Sequence, residues 1–233
     1  MKIAGLQKTT LIDYPGEVAC TLFLYGCNFR CGFCHNPGIV IRDFEEGFSE
    51  ENIFKFLKER KGKLDAVCIS GGEPLMTLDI DFVRKVRDLG YKIKIDTNGS
   101  FPDKLKQLIE EGLIDAVAMD IKADKKNYSK VVCANVDISK IEESIKIISE
   151  LDNYEFRTTV LEKFHDAVEM KAMGKWLNEI CGKKPKKFFL QGFKSNGDLI
   201  DGSFSKERDV SEKYLVELKD CVDEFFEEVG VRV

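Results

Sequence analysis

Cys27, Cys31 and Cys34 stand in Gly26-Cys27-Asn28-Phe29-Arg30-Cys31-Gly32-Phe33-Cys34-His35-Asn36-Pro37, a C-x3-C-x2-C spacing. Thiolates are soft ligands suited to zinc and to iron–sulfur clusters. A structural zinc site takes four protein ligands, and a four-iron cubane takes one cysteine per iron. Three cysteines leave one iron of a cubane without a protein ligand, open to a small molecule. That arrangement suits chemistry better than storage or simple electron transfer. A zinc knuckle completed by His35 is the competing reading, although adjacent Cys34 and His35 can rarely both reach one metal. The bland alternative is three thiols that happen to lie close.

Such thiols need elements to position them. Short β-branched runs alternate with amphipathic segments along the whole chain, which predicts an α/β fold with a parallel sheet. Strands are expected at Val18–Tyr25, Ala66–Ser70, Lys92–Asp96, Ala116–Ile121, Tyr154–Val160 and Lys187–Gln191. Helices are expected from a Ser49 cap to about Lys61, at Ile80–Leu89, Asp103–Glu111 and Ser139–Leu151, and from an Asp166 cap to about Ile180. Gly90, Gly112 and Gly182 stop three of them. Asp209 or Ser211 begins a last helix with Tyr214, Leu215, Leu218, Val222 and Phe225 on its buried side. Six βα units fall short of the eight in a complete barrel. The expectation is an open partial (β/α)6 barrel forming a single domain over residues 1–233, with a doubly wound open sheet as the alternative.

In such barrels the active groups gather at the C-terminal strand ends. Each predicted end here carries polar residues that a bland loop does not require. The three cysteines follow the first strand, and Ser70-Gly71-Gly72-Glu73-Pro74 follows the second. Asp96-Thr97-Asn98-Gly99 follows the third, Asp120-Ile121-Lys122 ends the fourth, Arg157 lies in the fifth and Gln191 ends the sixth. Gly-Gly and Glu-Pro are also ordinary turn dipeptides, and Asp96 can open an Asx turn. Arg157 points into the barrel if its neighbours face the helices. A buried Arg needs an anion or a paired carboxylate, and Asp96 and Asp120 are the candidates.

Composition narrows the class. The chain has 233 residues, 43% of them apolar, and a net charge of −5. The pI of about 5.3 carries no nucleic-acid footprint. The dense basic run Lys183, Lys184, Lys186, Lys187 reads as a solvated loop before a strand. No signal peptide and no membrane-spanning apolar run is visible, so the expected location is the cytoplasm, where thiols stay reduced. Cys20, Cys68, Cys133, Cys181 and Cys221 lack metal-ligand spacing and read as small buried hydrophobes.

C-x3-C-x2-C after a strand, with an aromatic residue before the last cysteine, resembles the cluster motif of the radical S-adenosylmethionine superfamily. Gly71-Gly72-Glu73-Pro74 matches its GGEP motif. The resemblance covers nearly the whole chain and implies a [4Fe-4S] cluster on Cys27, Cys31 and Cys34. S-adenosylmethionine would chelate the open iron, with its amino group held at Gly71, Gly72 and Glu73. Asp96-Thr97 and Asp120-x-Lys122 resemble a set found in enzymes that activate glycyl-radical proteins. That likeness implies a monovalent cation on Asp96, Thr97 and Asp120, and a cofactor contact from Lys122. Arg157 would meet the cofactor carboxylate or ribose.

The stretch Gly5-Leu6-Gln7-Lys8-Thr9-Thr10-Leu11-Ile12-Asp13-Tyr14-Pro15-Gly16 narrows the likeness further. With Cys34-His35-Asn36-Pro37, Met119-Asp120-Ile121-Lys122 and Phe156-Arg157-Thr158-Thr159-Val160, it looks like the anaerobic ribonucleoside-triphosphate reductase activating protein family. It also resembles, more distantly, the pyruvate formate-lyase activating enzyme. The implied reaction is reductive cleavage of S-adenosylmethionine to a 5′-deoxyadenosyl radical. That radical takes hydrogen from a glycine of the partner, anaerobic ribonucleotide reductase. A flavodoxin- or ferredoxin-type reductant is implied, and Asp13 would contact the substrate peptide. As a turn, Asp13-Tyr14-Pro15-Gly16 also explains itself. The rivals are a radical enzyme acting on another glycyl-radical protein, or on a small molecule as a 7-carboxy-7-deazaguanine synthase does. A non-enzymatic iron–sulfur carrier or zinc module leaves the strand-end residues unexplained.

Overall fold

The computed structural model of the protein describes residues 1–42 and 47–233. Its strands are β1 (Ile3–Thr10), β2 (Ala19–Leu24), β3 (Ala66–Gly71), β4 (Lys92–Thr97), β5 (Ala116–Asp120), β6 (Tyr154–Val160), β7 (Lys187–Gly192) and β8 (Glu228–Arg232). They lie in chain order in one sheet. Parallel neighbours joined by helices give the α/β, open partial-barrel class that the alternation predicts. All six predicted strands are present, with ends shifted by a residue or so, as helix and strand termini commonly are.

The described residues gather into two compact units. The first comprises Met1–Asn28, Asn36–Thr97 and Asp103–Val117; the second comprises Phe29–His35, Asn98–Pro102 and Ala118–Val233. In the first unit β1 pairs antiparallel with β2, and β2, β3 and β4 run parallel. Tyr14, Ala19, Ala66 and Ala116 form a buried cluster in which three small side chains make room for one ring. The Tyr14–Glu17 turn has Pro15 second and Gly16 third, at φ 87°, and closes with Glu17 N–H donating to the Tyr14 carbonyl at 3.1 Å. That is type II turn chemistry, which needs positive φ at the third position.

In the second unit β6, β7 and β8 run parallel. Strand alternation sorts its side chains: Phe156, Thr158 and Val160 are buried on one face of β6, and Glu155 and Arg157 lie on the other.

The helices α1 (Pro37–Val40), α2 (Glu50–Glu59), α3 (Pro74–Thr77), α4 (Ile80–Asp88), α5 (Pro102–Glu110), α6 (Tyr128–Val131), α7 (Ile138–Ser149), α8 (Ala167–Cys181) and α9 (Glu212–Val222) follow local signals. Ser49 caps α2 through Asn52 N–H at 3.2 Å. Asp166 caps α8 by accepting from Val168 and Glu169. Ser211, not Asp209, caps α9: the Asp209 carboxylate is taken by the amide and hydroxyl of Ser195 at 2.7 and 2.8 Å. Phe225 lies beyond α9 in a 3-10 turn, with its ring over Gly174 of α8. No described helix is long and apolar enough to cross a membrane.

Two strands escape the sequence pattern. β1 buries little beyond its ends, so it lacks sustained apolar alternation. β8 is five residues long with Gly230 at its centre, where a Cβ would lie 2.4 Å from the Phe189 ring. A further correction concerns Cys133. It is exposed, at φ 50°, and not a buried hydrophobe; Cys181 and Cys221 are half-buried, while Cys20 and Cys68 are buried as expected.

Candidate functional site

In the first unit the chain leaves β2 through Gly26 and Cys27, beside the end of β3. Gly72 N–H donates to the Leu24 carbonyl at 3.0 Å, and Glu73 N–H to the Gly26 carbonyl at 2.8 Å. A Cβ on Gly72 would sit 2.0 Å from the Gly26 oxygen and 3.1 Å from the Cys27 Cβ. A Cβ on Gly71 would sit 2.3 Å from the Leu24 nitrogen. The two glycines are therefore needed for close approach of backbone to backbone, at the thiol-bearing loop itself.

Glu73 is fully buried. Its Oε1 accepts from Leu75 N–H at 3.0 Å, capping α3, and from the Thr97 hydroxyl at 2.8 Å. A buried carboxylate held by two such donors is fixed in place. At the end of β4, Asp96 pairs with the Lys94 ammonium, and the Lys94 side chain is only 4% exposed. Asn98 opens an Asx turn, its Oδ1 accepting from Ser100 N–H at 2.9 Å. Asp13 Oδ2 accepts from the Thr21 hydroxyl at 2.5 Å, with Thr21 buried in β2.

The second unit holds Cys31 and Cys34. Cys34 N–H donates to the Cys31 carbonyl at 3.0 Å, a tight turn that sets two thiols on one loop. The segment after β7 pins that loop: Ile200 N–H donates to the Cys34 carbonyl at 3.2 Å, and Asp201 N–H to the Gly32 carbonyl at 2.9 Å. Phe33, the aromatic residue before the last cysteine, packs against Phe164 and Phe204 at centroid distances of 6.2 and 6.1 Å. Phe29 meets Tyr128 edge to face at 6.2 Å. The His35 ring lies 5.7 Å from the Phe193 ring, tilted by 34°.

A row of alternating charges crosses the same unit. Lys122 Nζ donates to Asp120 Oδ2 at 3.1 Å, and Arg157 Nε donates to Asp120 Oδ1 at 3.0 Å. Arg157 also lies 3.8 Å from Glu155. Arg232 closes the row with two hydrogen bonds to Glu155, at 3.0 and 2.7 Å, and rests 3.8 Å over the Phe189 ring. The paired-carboxylate reading of Arg157 thus has its partner in Asp120. Burial alone would raise the Asp120 carboxyl, but the charges of Arg157 and Lys122 outweigh it and hold the group well below the carboxylate range. Burial likewise works against the Lys122 ammonium, yet Asp120 and then Cys31 raise its pKa overall.

His165 and Glu169, at the start of α8, position the loop after β5. His165 is fully buried; its Nδ1 accepts from Leu161 N–H at 3.1 Å, so Nε2 carries the proton that faces the Lys122 carbonyl at 3.0 Å. Burial lowers its pKa to about 4. Glu169 accepts from Asp124 N–H at 2.6 Å. Lys94, Glu155, Arg232 and Glu169 are the contributors that the motifs do not mark. Only strand parity with Asp96 and Arg157 pointed to the first two.

Among the described residues no three His, Cys, Asp or Glu side chains are gathered closely enough to hold a metal ion. The fit to a cluster lies in the donor set. Three soft thiols fall within one short stretch, no carboxylate competes among them, and backbone hydrogen bonds brace the loop on both sides of Cys31.

Comparison with known proteins gives the family. Residues 21–169 match the Radical SAM superfamily. A Methanocaldococcus jannaschii protein provisionally named a glycyl-radical enzyme activating enzyme is 31% identical over 237 residues, covering 99% of this chain and 95% of that protein. The pyruvate formate-lyase-activating enzyme of Listeria monocytogenes is 30% identical over 136 residues, 52% of this chain and 53% of that enzyme. Streptococcus suis SuiB, solved with S-adenosylmethionine bound, superposes with a TM-score of 0.65 at 15% identity, over 91% of this chain and 51% of that one. That last likeness concerns the fold alone. With the family match spanning Cys27 through Glu169 and the strand order described above, this chain belongs to the radical SAM superfamily.

Proposed function

We propose that this protein is a glycyl-radical enzyme activase and that its protein substrate is anaerobic ribonucleoside-triphosphate reductase. The observation that carries the activase reading is the likeness, along nearly the whole of both chains, to a relative provisionally named for that activity. The choice of reductase rests on the Gly5–Gly16 stretch and the strand-end motifs.

Membership of the superfamily implies a [4Fe-4S] cluster and S-adenosylmethionine, which supply the radical chemistry when bound. The chain's own residues hold and orient them. Cys27, Cys31 and Cys34 would hold the cluster through their thiolates. Gly71, Gly72 and Glu73 would hold the cofactor's amino group, with Glu73 braced by Leu75 N–H and Thr97. Lys122 and Arg157, both held by Asp120, would present positive charge to its carboxylate. Phe29 and Phe33, both buried, exclude water from the thiol loop. Asp13, whose carboxylate accepts from Thr21 of β2, would receive the substrate backbone.

Anaerobic electron paramagnetic resonance tests this reading. Cluster-loaded protein, S-adenosylmethionine and a flavodoxin- or ferredoxin-type reductant are mixed with the reductase. The expected result is a glycyl-radical doublet on the reductase. A doublet on pyruvate formate-lyase instead would move the target to another glycyl-radical enzyme, a reading that the Listeria relative favours. Formation of 5′-deoxyadenosine with no doublet on either protein would favour a small-molecule substrate and overturn the activase assignment.

A further inference from the structure

The likeness to glycyl-radical activases implies a monovalent cation held by Asp96, Thr97 and Asp120, and the side chains of this protein do not fit that ion. In the first unit, Asp96 Oδ1 receives the ammonium of Lys94, and the Thr97 hydroxyl donates to Glu73. In the second unit, both carboxylate oxygens of Asp120 receive cationic donors, Lys122 on one and Arg157 on the other. The two expected carboxylate ligands of a free cation already serve cations that are part of the chain, and the Thr97 hydroxyl serves Glu73.

Lys94 is the unusual residue in this set. It is 3% exposed, in the middle of a parallel strand whose flanking residues Ile93 and Ile95 are fully buried on the opposite face. Its register partners are Cys68 on β3 and, beyond it, Thr21 on β2. Lysine is seldom buried unless paired, and an apolar side chain would fill this position at less cost in solvation. Side chains alternate along a strand, so residues two apart share a face, and Lys94 reaches Asp96 directly. An ammonium group resembles a potassium or sodium ion in charge and compactness, and both bind carboxylate oxygens. Unlike a free ion, it is present at all salt concentrations. A second monovalent cation at Asp96 would also meet the Lys94 charge as a repulsive neighbour.

We propose that the Lys94 ammonium occupies the cation position at Asp96, so that this protein binds S-adenosylmethionine without a free monovalent cation. The inference takes from the activase reading only the expectation that a cation belongs there. No partner protein enters its test, so the test and the radical assay can fail separately.

The experiment is equilibrium dialysis of S-adenosylmethionine with the cluster-loaded protein at constant ionic strength. Potassium, sodium or tetramethylammonium serves as the sole monovalent cation. The wild-type affinity is expected to stay within about twofold across the three salts. Lys94→Met keeps the apolar stem and removes the charge. It is expected to lose about tenfold in tetramethylammonium and to recover in potassium or sodium, a coupling of ordinary allosteric size. The melting temperature of the cluster-loaded variant, measured without S-adenosylmethionine, should rise in potassium while that of the wild type stays level. A saturable gain of wild-type affinity in potassium or sodium overturns the proposal. So does a Lys94→Met protein indifferent to all three salts. Lys94→Gln, which retains a polar donor, takes its place where the methionine variant does not fold, and is held to the same two outcomes.

Discussion

Glu73 and His165 show how single side chains here serve by being immobile. Glu73 accepts two donors in a fully buried position, and His165 spends one ring nitrogen on Leu161 and the other on Lys122. The histidine has a measurable consequence. In the folded protein it stays neutral until the pH falls to about 4, whereas in the unfolded chain it protonates near 6.5. Between those values the unfolded chain binds more protons. The contribution of His165 to stability is therefore complete above pH 6.5 and is lost progressively as the pH falls toward 4. The loss amounts to roughly 3 kcal/mol over that interval. Denaturant melts from pH 7.5 downward, compared with those of His165→Gln, measure it; the variant should show a flatter dependence. Identical slopes for the two proteins would remove the neutral, buried histidine from the account. No local pattern in the sequence marks His165, because its role depends on which carbonyl the fold brings to its Nε2.

At the scale of elements, β8 does more than end the sheet. It carries Arg232 to Glu155 on β6, and through Glu155 to the Arg157–Asp120–Lys122 group. The Arg232 side chain is one-third exposed and that of Glu155 is 9% exposed, so this pair is intermediate between a surface and a buried bridge. Arg232→Ala leaves Glu155 with Arg157 at 3.8 Å as its remaining cation. The expected cost is about 2 kcal/mol, read as a lower melting temperature. Adding Glu155→Gln should restore part of it, since the uncompensated carboxylate is then gone. A single variant as stable as the wild type would show that the bridge contributes nothing. Most elements were legible in the sequence. Tyr154–Val160 was predicted to the residue, and the Ser49 and Asp166 caps behave as their side chains dictate. β8 was not, because five residues with a central glycine carry too little apolar alternation to stand out from the end of a helix.

For the whole molecule, the sequence suggests one domain, while the contacts gather into two compact units, each assembled from three stretches of chain. We propose that the chain unfolds as one cooperative domain. Trp176, the sole tryptophan, lies in the second unit, 5% exposed, with its indole N–H donating to Glu142 at 2.9 Å. Its fluorescence therefore reports on that unit, and far-UV circular dichroism reports on both. The two melting curves should coincide. Separate midpoints would mean that the units unfold independently.

The chemistry on offer is written in residue types and their spacing. The spacing of Cys27, Cys31 and Cys34 is covalent, and three thiols within one loop offer soft ligands to an iron–sulfur cluster or a zinc ion whatever surrounds them. The period of the apolar residues determined the α/β class, since burial of one face per element is a local property. The tertiary structure decided how the polar residues are spent. Lys94 with Asp96, Thr97 with Glu73, Arg157 with Asp120 and Arg232 with Glu155 are pairings set by strand register and parity or by contact between distant segments. Such pairings leave no local signature, because each residue would be equally at home in water. Only folding removes the water and makes each charge need its neighbour.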